Sequence, residues 1–147
     1  MTRYDYPRAP SRRDDGGGAP VLAIVRAWAA GIVMLLITEY FQATLVYDYL
    51  ASDEKLETFL GRLLLIHLPN AVCVAVAAWA AGRVHHEPFR DATAQHLTAV
   101  LTVPVAAQAL NLSLQWRDLA AEGLLMSNAV LVVGCVTGYA VERLQED

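Results

Sequence analysis

The 147-residue sequence has little positive charge and almost no lysine. Lys55 is its one lysine, beside ten arginines and 15 acidic residues, and the formal net charge is −4. Proteins that bind nucleic acid through a broad basic surface need the opposite balance, because phosphate contacts depend on clustered Lys and Arg side chains. The composition therefore excludes nucleic acid as a partner of that kind. The excess of arginine over lysine and the abundance of alanine are typical of GC-rich bacterial genomes.

Cysteine is also scarce, and motifs for catalysis are missing. Cys73 and Cys135 form no CxxC pair, and both lie inside apolar runs without nearby ligands at metal-binding spacing. We expect them to be small packing residues. The sequence has no nucleophile elbow, phosphate loop, zincin helix or paired carboxylates at the end of an apolar run. It therefore predicts no catalytic residues, no metal site, no cofactor and no enzymatic activity.

Apolar residues, by contrast, are abundant. They make up 56% of the chain, and the mean hydropathy is +0.36. A soluble domain of this size has too little interior to bury that much apolar surface, whereas lipid solvates it. Residues 1–20 differ from the rest, because they are polar and contain three prolines, three consecutive glycines and four arginines. This composition predicts a disordered tail.

Four apolar stretches follow the tail, at residues 21–47, 62–82, 94–116 and 119–141. Each is close to or longer than the ~20 residues that cross a hydrocarbon core as a helix. Tryptophan and tyrosine lie near their ends, as is usual at membrane interfaces. Residues 21–147 are therefore predicted to be a single all-α domain, a bundle of four transmembrane helices whose main partner is the lipid bilayer.

The basic residues predict the orientation of this bundle. More of them lie in the tail, the second connector and the C-terminus than in the first and third connectors, and the richer side normally faces the cytoplasm. The eight on the richer side are Arg3, Arg8, Arg12, Arg13, Arg26, Arg83, Arg90 and Arg143, against Lys55, Arg62 and Arg117 on the other. We expect a multi-pass protein of the cell (plasma) membrane with both termini in the cytoplasm.

Polar side chains within the four stretches collect at one depth. Glu39, Asn70, Gln108 and Asn128 each lie eight or nine residues inward from the outer end of a stretch, about 12 Å along a helix. His67 and Asn111 form a shallower layer. An ionisable group at such depth normally faces a bundle interior or a wet cavity. We therefore predict a ligand- or proton-binding site from these six residues; the alternative is that they only join helices through hydrogen bonds.

Two prolines lie close to this polar layer. Pro69 and Pro104 fall on the second and third helices. Each removes an amide donor, so we expect a bend there.

The inner half of the bundle is predicted to be a tightly packed and nearly nonpolar seam. Small residues lie at helical spacing on the fourth stretch (Gly134 and Gly138) and on the second (Ala75, Ala78 and Gly82). Such faces let helices approach closely. Either the second and fourth helices pack together there, or the fourth pairs across a homo-oligomer.

A histidine-rich connector separates the second and third stretches. His85, His86 and Glu87 are followed about three turns later by His96, but no spacing places three ligands on one helix face. We interpret this segment as a solvated loop without a metal.

Two functions remain open on these observations. The first is a non-enzymatic accessory or assembly subunit that acts through its helix faces on a membrane protein partner. The second is a small proton-coupled transporter or channel that uses Glu39. The layout is similar to that of the small multidrug resistance transporters, which also have four helices, a lone acidic residue on the first and a glycine seam on the fourth. The likeness covers layout only, since this chain has a 20-residue polar tail, long connectors and His67, and lacks that family's motif around the second and third helices.

Overall fold

The computed structural model describes residues 18–50, 52–85, 92–115, 117 and 120–145. All regular structure in these residues is helical. Four helices are long and apolar enough to cross a membrane: Ala19–Leu50, Phe59–Val84, Thr93–Gln115 and Ala121–Leu144. The prediction of an all-helical chain with four such helices is confirmed, and the four helices indicate a multi-pass membrane protein. Residues 1–17, the greater part of the predicted tail, lie outside the described residues.

In the described residues, five α-helices and two π-helical segments make up the four long helices. α1 (Gly18–Gln42) continues as a π-helix, Ala43–Leu50. A short α2 (Asp53–Glu57) lies between the first and second long helices. The second long helix consists of α3 (Phe59–Arg62), a π-helix (Leu63–His67) and α4 (Leu68–Val84). α5 (Thr93–Gln115) and α6 (Ala121–Leu144) are continuous.

The π-helical turn before α4 has a local cause in Pro69. Proline has no amide hydrogen, and its ring clashes with the carbonyl group four residues earlier. A wider turn relieves this conflict, and the amide of Leu68 accordingly donates to the carbonyl oxygen of Leu63, five residues back. The sequence predicts a disturbance at Pro69, and the structure places the wider turn immediately before it.

α4 is the central helix of the bundle. It packs most extensively against α1 on one side and α6 on the other, while α5 makes lighter contacts with all three. The residues at the crossings are mostly small, with Ala27, Ala81 and Ala99 in one cluster and Cys73 and Ala77 in a second. Small side chains let the backbones approach, which is the main source of helix association where lipid removes the hydrophobic drive.

The glycine seam lies between α4 and α6 of one chain. A Cβ atom at Gly134 would lie 2.7 Å from the Cβ of Val74, and one at Gly138 would meet the carbonyl oxygen of Ala75. Neither Gly134 nor Gly138 therefore has room for a methyl group. Of the two arrangements that the sequence left open, the structure therefore shows the packing of the second long helix on the fourth.

Burial divides the bundle into two halves. We call the end that holds the start of α1 and the end of α6 the packed half; buried residues there fall within 27–35, 73–85, 96–104 and 134–142. The opposite end, made of 36–50, 59–72, 105–115 and 121–133, is the open half, where Gln42 alone among the described residues is buried. Helices that pack closely at one end of a bundle and loosely at the other leave a space between them.

Candidate functional site

A cavity of about 980 Å³ occupies the open half and is lined by all four long helices. Its floor is formed by the packed half, where the indole nitrogen of Trp28 donates to the carbonyl oxygen of Thr98 at 3.3 Å and joins α1 to α5. The last buried residue of α5 is Pro104, and beyond it that helix has no buried residue up to Gln115. The cavity therefore exists because α5 contributes to the core only as far as Pro104.

One face of α1 forms a long wall of this cavity. Trp28, Ile32, Leu35 and Glu39 all line it, and their spacing of three or four residues keeps them on one side of a helix. From Trp28 to Glu39 the wall extends about 16 Å along the helix axis. The wall therefore begins on an indole ring, continues over aliphatic side chains and ends on a carboxylate.

Polar groups line the cavity above its apolar floor. They come from every long helix and comprise Glu39, His67, Asn70, Thr102, Gln108, Asn111, Gln115 and Ser127. Among the described residues that line the cavity, Glu39 is the one acidic residue and none is a lysine or arginine. Because an ionised Glu39 has no cation beside it in this wall, the cavity favours a positively charged guest.

The amide side chains of α5 differ in whether their hydrogen bonds are satisfied. The Nε2 atom of Gln115 donates to Oδ1 of Asn111 at 2.6 Å, so this pair is already bonded. The Nε2 atom of Gln108 is buried and has no hydrogen-bond partner among the described residues. A buried donor without an acceptor costs about 1–3 kcal/mol. Gln108 is therefore a lining residue with an unsatisfied buried donor among the described residues.

Five of the six residues predicted as a site line this one cavity. They are Glu39, His67, Asn70, Gln108 and Asn111. Asn128 is the exception, because it is not among the lining residues and its Nδ2 atom donates to the carbonyl oxygen of Leu124 within α6 at 2.7 Å. Ser127 lines the cavity in its place. Consecutive helical residues point about 100° apart, so depth alone does not decide which of two neighbours faces inward.

A second polar cluster lies at the far end of the packed half. His85, His96 and Glu142 are all fully buried, at 0% exposure. The two Nδ1 atoms of His85 and His96 are 3.4 Å apart, and Nε2 of His96 lies 3.5 Å from Oε2 of Glu142. The second distance is that of an ion pair and is longer than a good hydrogen bond.

The cluster joins three helices. His85 caps α4, with its amide donating to the carbonyl oxygens of Ala81 and Gly82. His96 lies in the first turn of α5, and Glu142 lies near the end of α6. A Cβ atom at Gly82 would be 2.9 Å from Cγ of Glu142, so the glycine makes room for the carboxylate.

Two interpretations from the sequence are wrong at this end of the molecule. His85 and His96 are not part of a solvated loop, since both are fully buried. The inner half is also not nearly nonpolar, because it buries these histidines together with Glu142. His86 and Glu87 lie outside the described residues.

Helical spacing contains the signal for this cluster. Gly134, Gly138 and Glu142 recur every four residues, so Glu142 lies on the same face of α6 as the seam. His96 lies three, four and seven residues before Ala99, Val100 and Val103. It therefore shares a helix face with these three buried residues. Assigning polar residues to helix faces, as well as to depths, would have predicted that Glu142 and His96 lie in the core.

No group of three His, Cys, Asp or Glu residues in the described part of the chain is arranged to hold a metal ion. Comparisons with protein families, with curated proteins and with solved structures find no match to this chain. The function is therefore argued from the cavity and the cluster themselves.

Proposed function

We propose that this protein is a small membrane transporter or channel that binds an organic cation in the cavity of the open half. The observation that carries the proposal is the convergence of all four long helices on one cavity whose described lining contains a single carboxylate and no lysine or arginine. Glu39 is the residue that pairs with the cation.

The shape and lining of the cavity indicate the kind of guest. About 980 Å³ is at the upper end of the range for small-molecule sites. Apolar side chains cover the wall between Trp28 and Glu39, and an indole face attracts cations as well as apolar groups. A guest with a positive group near Glu39 and an apolar body toward Trp28 fits these features.

The accessory-subunit hypothesis has less support from the geometry. That hypothesis requires a helix face that is free to pack against a partner. In the structure α4 fills that seam against Gly134 and Gly138, so a partner would need a different face. Purification with a stoichiometric membrane protein, together with no cation flux, would favour the accessory function.

We also propose that the open half faces the outside of the cell and that both termini are cytoplasmic. The distribution of arginine supports this orientation. The acidic side chains near the open end, Asp48, Asp53, Glu54 and Glu57, are exposed, and they add a negative potential at the entrance that attracts cations.

The test is Glu39→Gln in reconstituted vesicles with tetrapropylammonium as the probe cation. The wild type is expected to move the probe when a proton gradient is applied, and to bind it in detergent by calorimetry. Glu39→Gln is expected to weaken binding about tenfold or more, since a bond to a charged group contributes ~1.5–3 kcal/mol. It should also abolish the flux.

Glu57→Gln is the matched control, because Glu57 is an exposed carboxylate of α2 near the same end and does not line the cavity. Its binding and flux should stay within about twofold of the wild type at physiological salt, because the effect of one exposed charge is screened. Absence of binding and flux in the wild type, or equal losses in the two variants, would contradict the proposal. A size-matched carboxylate probe should not bind to any of the three proteins.

A further inference from the structure

We propose that the cavity opens sideways to the hydrocarbon of the bilayer, between α1 and α5, and that an amphiphilic cation enters it there from the lipid. The charge of this guest rests on the function proposed above, whereas the opening rests on the placement of the two helices alone. Ile32 and Leu36 of α1 and Ala106 and Leu110 of α5 border the gap, and all four line the cavity. We call this gap the lateral opening.

Two alanines of α5 mark where that helix separates from α1. Ala99 and Ala106 are seven residues apart, so they lie on nearly the same face of the helix. Ala99 is fully buried in a cluster with Ala27 of α1 and Ala81 of α4. Ala106 is exposed, although it lines the cavity. The face of α5 that packs against α1 in the packed half is therefore uncovered two turns later.

The lining residues of α1 extend around the helix in the same region. Leu35 is buried in a cluster with Cys73 of α4, and Leu36 points about 100° away from it. Leu36 nevertheless lines the cavity and is 61% exposed. Ile32, one turn earlier, also lines the cavity and is 48% exposed. The cavity therefore reaches the flank of α1 that points away from α4.

α6, by contrast, closes the cavity on its own side. Its lining residues are Gly123, Ser127, Val130 and Leu131. Their spacing of three or four residues places them on the same face as Gly134 of the seam. None of these four residues is exposed. The cavity therefore ends at α6 and does not extend around that helix.

Polar contacts join the other helix pairs around the cavity. The Sγ atom of Cys73 donates to Oε1 of Gln42 at 3.2 Å and joins α4 to α1. Nη2 of Arg62 lies 3.5 Å from Oε1 of Glu122, an ion pair that joins α3 to α6. Between α1 and α5, the described residues form one hydrogen bond, that of Trp28 at the cavity floor. No bond among them holds these two helices together at the level of the lateral opening.

The depth and the chemistry of the lateral opening indicate that hydrocarbon lies outside it. Ala106 lies nine residues before Gln115, the last residue of α5, which is about 14 Å along the helix and inside a hydrocarbon core about 30 Å thick. All four bordering side chains are apolar, and Glu39 lies three residues beyond Leu36. An amphiphile in the gap therefore keeps its apolar part among lipid chains while its cationic group reaches Glu39.

Brominated lipids test the lateral opening directly, because bromine quenches tryptophan fluorescence at close contact. The parent protein for this test is the full chain with Trp79→Phe and Trp116→Phe, which leaves Trp28 at the cavity floor as its one tryptophan. In discs of lipid brominated at the middle of one acyl chain, Trp28 is expected to lose about half of its fluorescence or more, since a chain that enters contacts the indole ring. Absence of quenching in the parent would overturn the proposal.

Ala106→Phe and Ala109→Phe form a matched pair in this parent. Both add the same side chain at an exposed position of α5, but Ala106 lines the cavity and Ala109 is not among its described lining residues. Ala106→Phe is expected to obstruct the lateral opening and to restore about half or more of the quenched fluorescence, because a ring fills space that a methyl group leaves free. Ala109→Phe should be quenched as the parent is. Equal quenching in the two variants would overturn the proposal.

The route of the guest is tested by stopped-flow mixing of the same proteins, in discs without bromine, with two cations. Decyltrimethylammonium partitions into lipid, whereas tetrapropylammonium has no long apolar chain, and Trp28 fluorescence reports the binding of each. Ala106→Phe is expected to slow association of decyltrimethylammonium about tenfold relative to Ala109→Phe, the effect of a raised barrier to entry. Association of tetrapropylammonium should be the same in both variants. Equal slowing of the two cations, or slowing of neither, would overturn entry from the lipid.

The two measurements separate this proposal from the proposed function. Binding of both cations without quenching would overturn the lateral opening and leave the cation site standing. Quenching without binding of either cation would overturn the proposed function and the entry of a cation with it, and would leave the opening itself established.

Discussion

Gly31 and Gly138 both lie at helix crossings, but the space around them differs. A Cβ atom at Gly31 would lie 3.4 Å from the Cβ of Ala81 and 3.5 Å from that of Val103, which are ordinary contacts. A Cβ atom at Gly138 would meet the carbonyl oxygen of Ala75 and lie 2.9 Å from the Cβ of Ala78. Backbone atoms cannot move aside as a flexible side chain can, so only the first position has room for a methyl group.

Alanine substitutions should separate these two positions. Gly138→Ala is expected to lower the free energy of unfolding by about 1–3 kcal/mol, because overpacking forces α4 and α6 apart. Gly31→Ala is expected to be neutral or to stabilise by up to ~1 kcal/mol, since alanine is the better helix former. Unfolding by a denaturing detergent in mixed micelles measures both. Equal effects of the two substitutions would contradict the close packing at the seam.

The candidate site shows how far the depth of a residue along its apolar stretch predicts whether it lines the cavity. Depth along each stretch brought Glu39, Asn70 and Gln108 to one level, and all three line the cavity. Depth did not separate Ser127 from Asn128, because the distinction depends on the rotation of α6 about its own axis. That rotation is set by the seam with α4, which is a tertiary contact.

Among the elements, α5 decides whether there is a cavity. Its buried residues are His96, Ala99, Val100, Val103 and Pro104, and the helix continues for eleven residues beyond the last of them. Pro104 cannot donate to the carbonyl of Val100, and its ring pushes against that turn. The proline therefore lies where α5 leaves the core.

Pro104→Ala is expected to restore the missing backbone bond and to let the open half of α5 approach α1 and α6. The cavity would shrink, and affinity for tetrapropylammonium would fall by about a factor of five to ten, as for the loss of ~1 kcal/mol or more of contact. Calorimetry in detergent measures the affinity. Leu110→Ala serves as the control, because shortening this lining side chain enlarges the cavity without changing the backbone. An unchanged affinity in Pro104→Ala would show that the proline does not hold the helices apart.

The four long helices were the most predictable part of this structure. Apolar length alone predicts four long helices, since a hydrocarbon core demands about 20 residues from each. The two π-helical segments were not predicted, because a widened turn depends on local clashes such as that of Pro69 and leaves no periodic signal. The burial of His85 at the end of α4 was also missed, since it depends on tertiary contacts such as that with His96 of α5.

For the whole molecule, one end is closed and the other is open. Small residues bring α1, α4 and α6 together in the packed half, which also contains the buried cluster around His96. The open half encloses the cavity around Glu39. The proposed cation site in the open half therefore lies at the opposite end of the molecule from the buried cluster of His85, His96 and Glu142.

The most direct test of this account compares two neighbouring residues of α6. Ser127 lines the cavity and Asn128 faces away from it. Cysteine at each position would be exposed to a water-soluble, membrane-impermeant maleimide added outside intact cells. Cys73 and Cys135 are buried, and the unmodified chain measures their background.

The account predicts that Ser127→Cys is labelled and that Asn128→Cys, which does not line the cavity, is not. Prior addition of tetrapropylammonium should slow the labelling of Ser127→Cys. Equal labelling at both positions, or labelling of Asn128→Cys alone, would contradict a water-filled cavity on the outer side of the bundle.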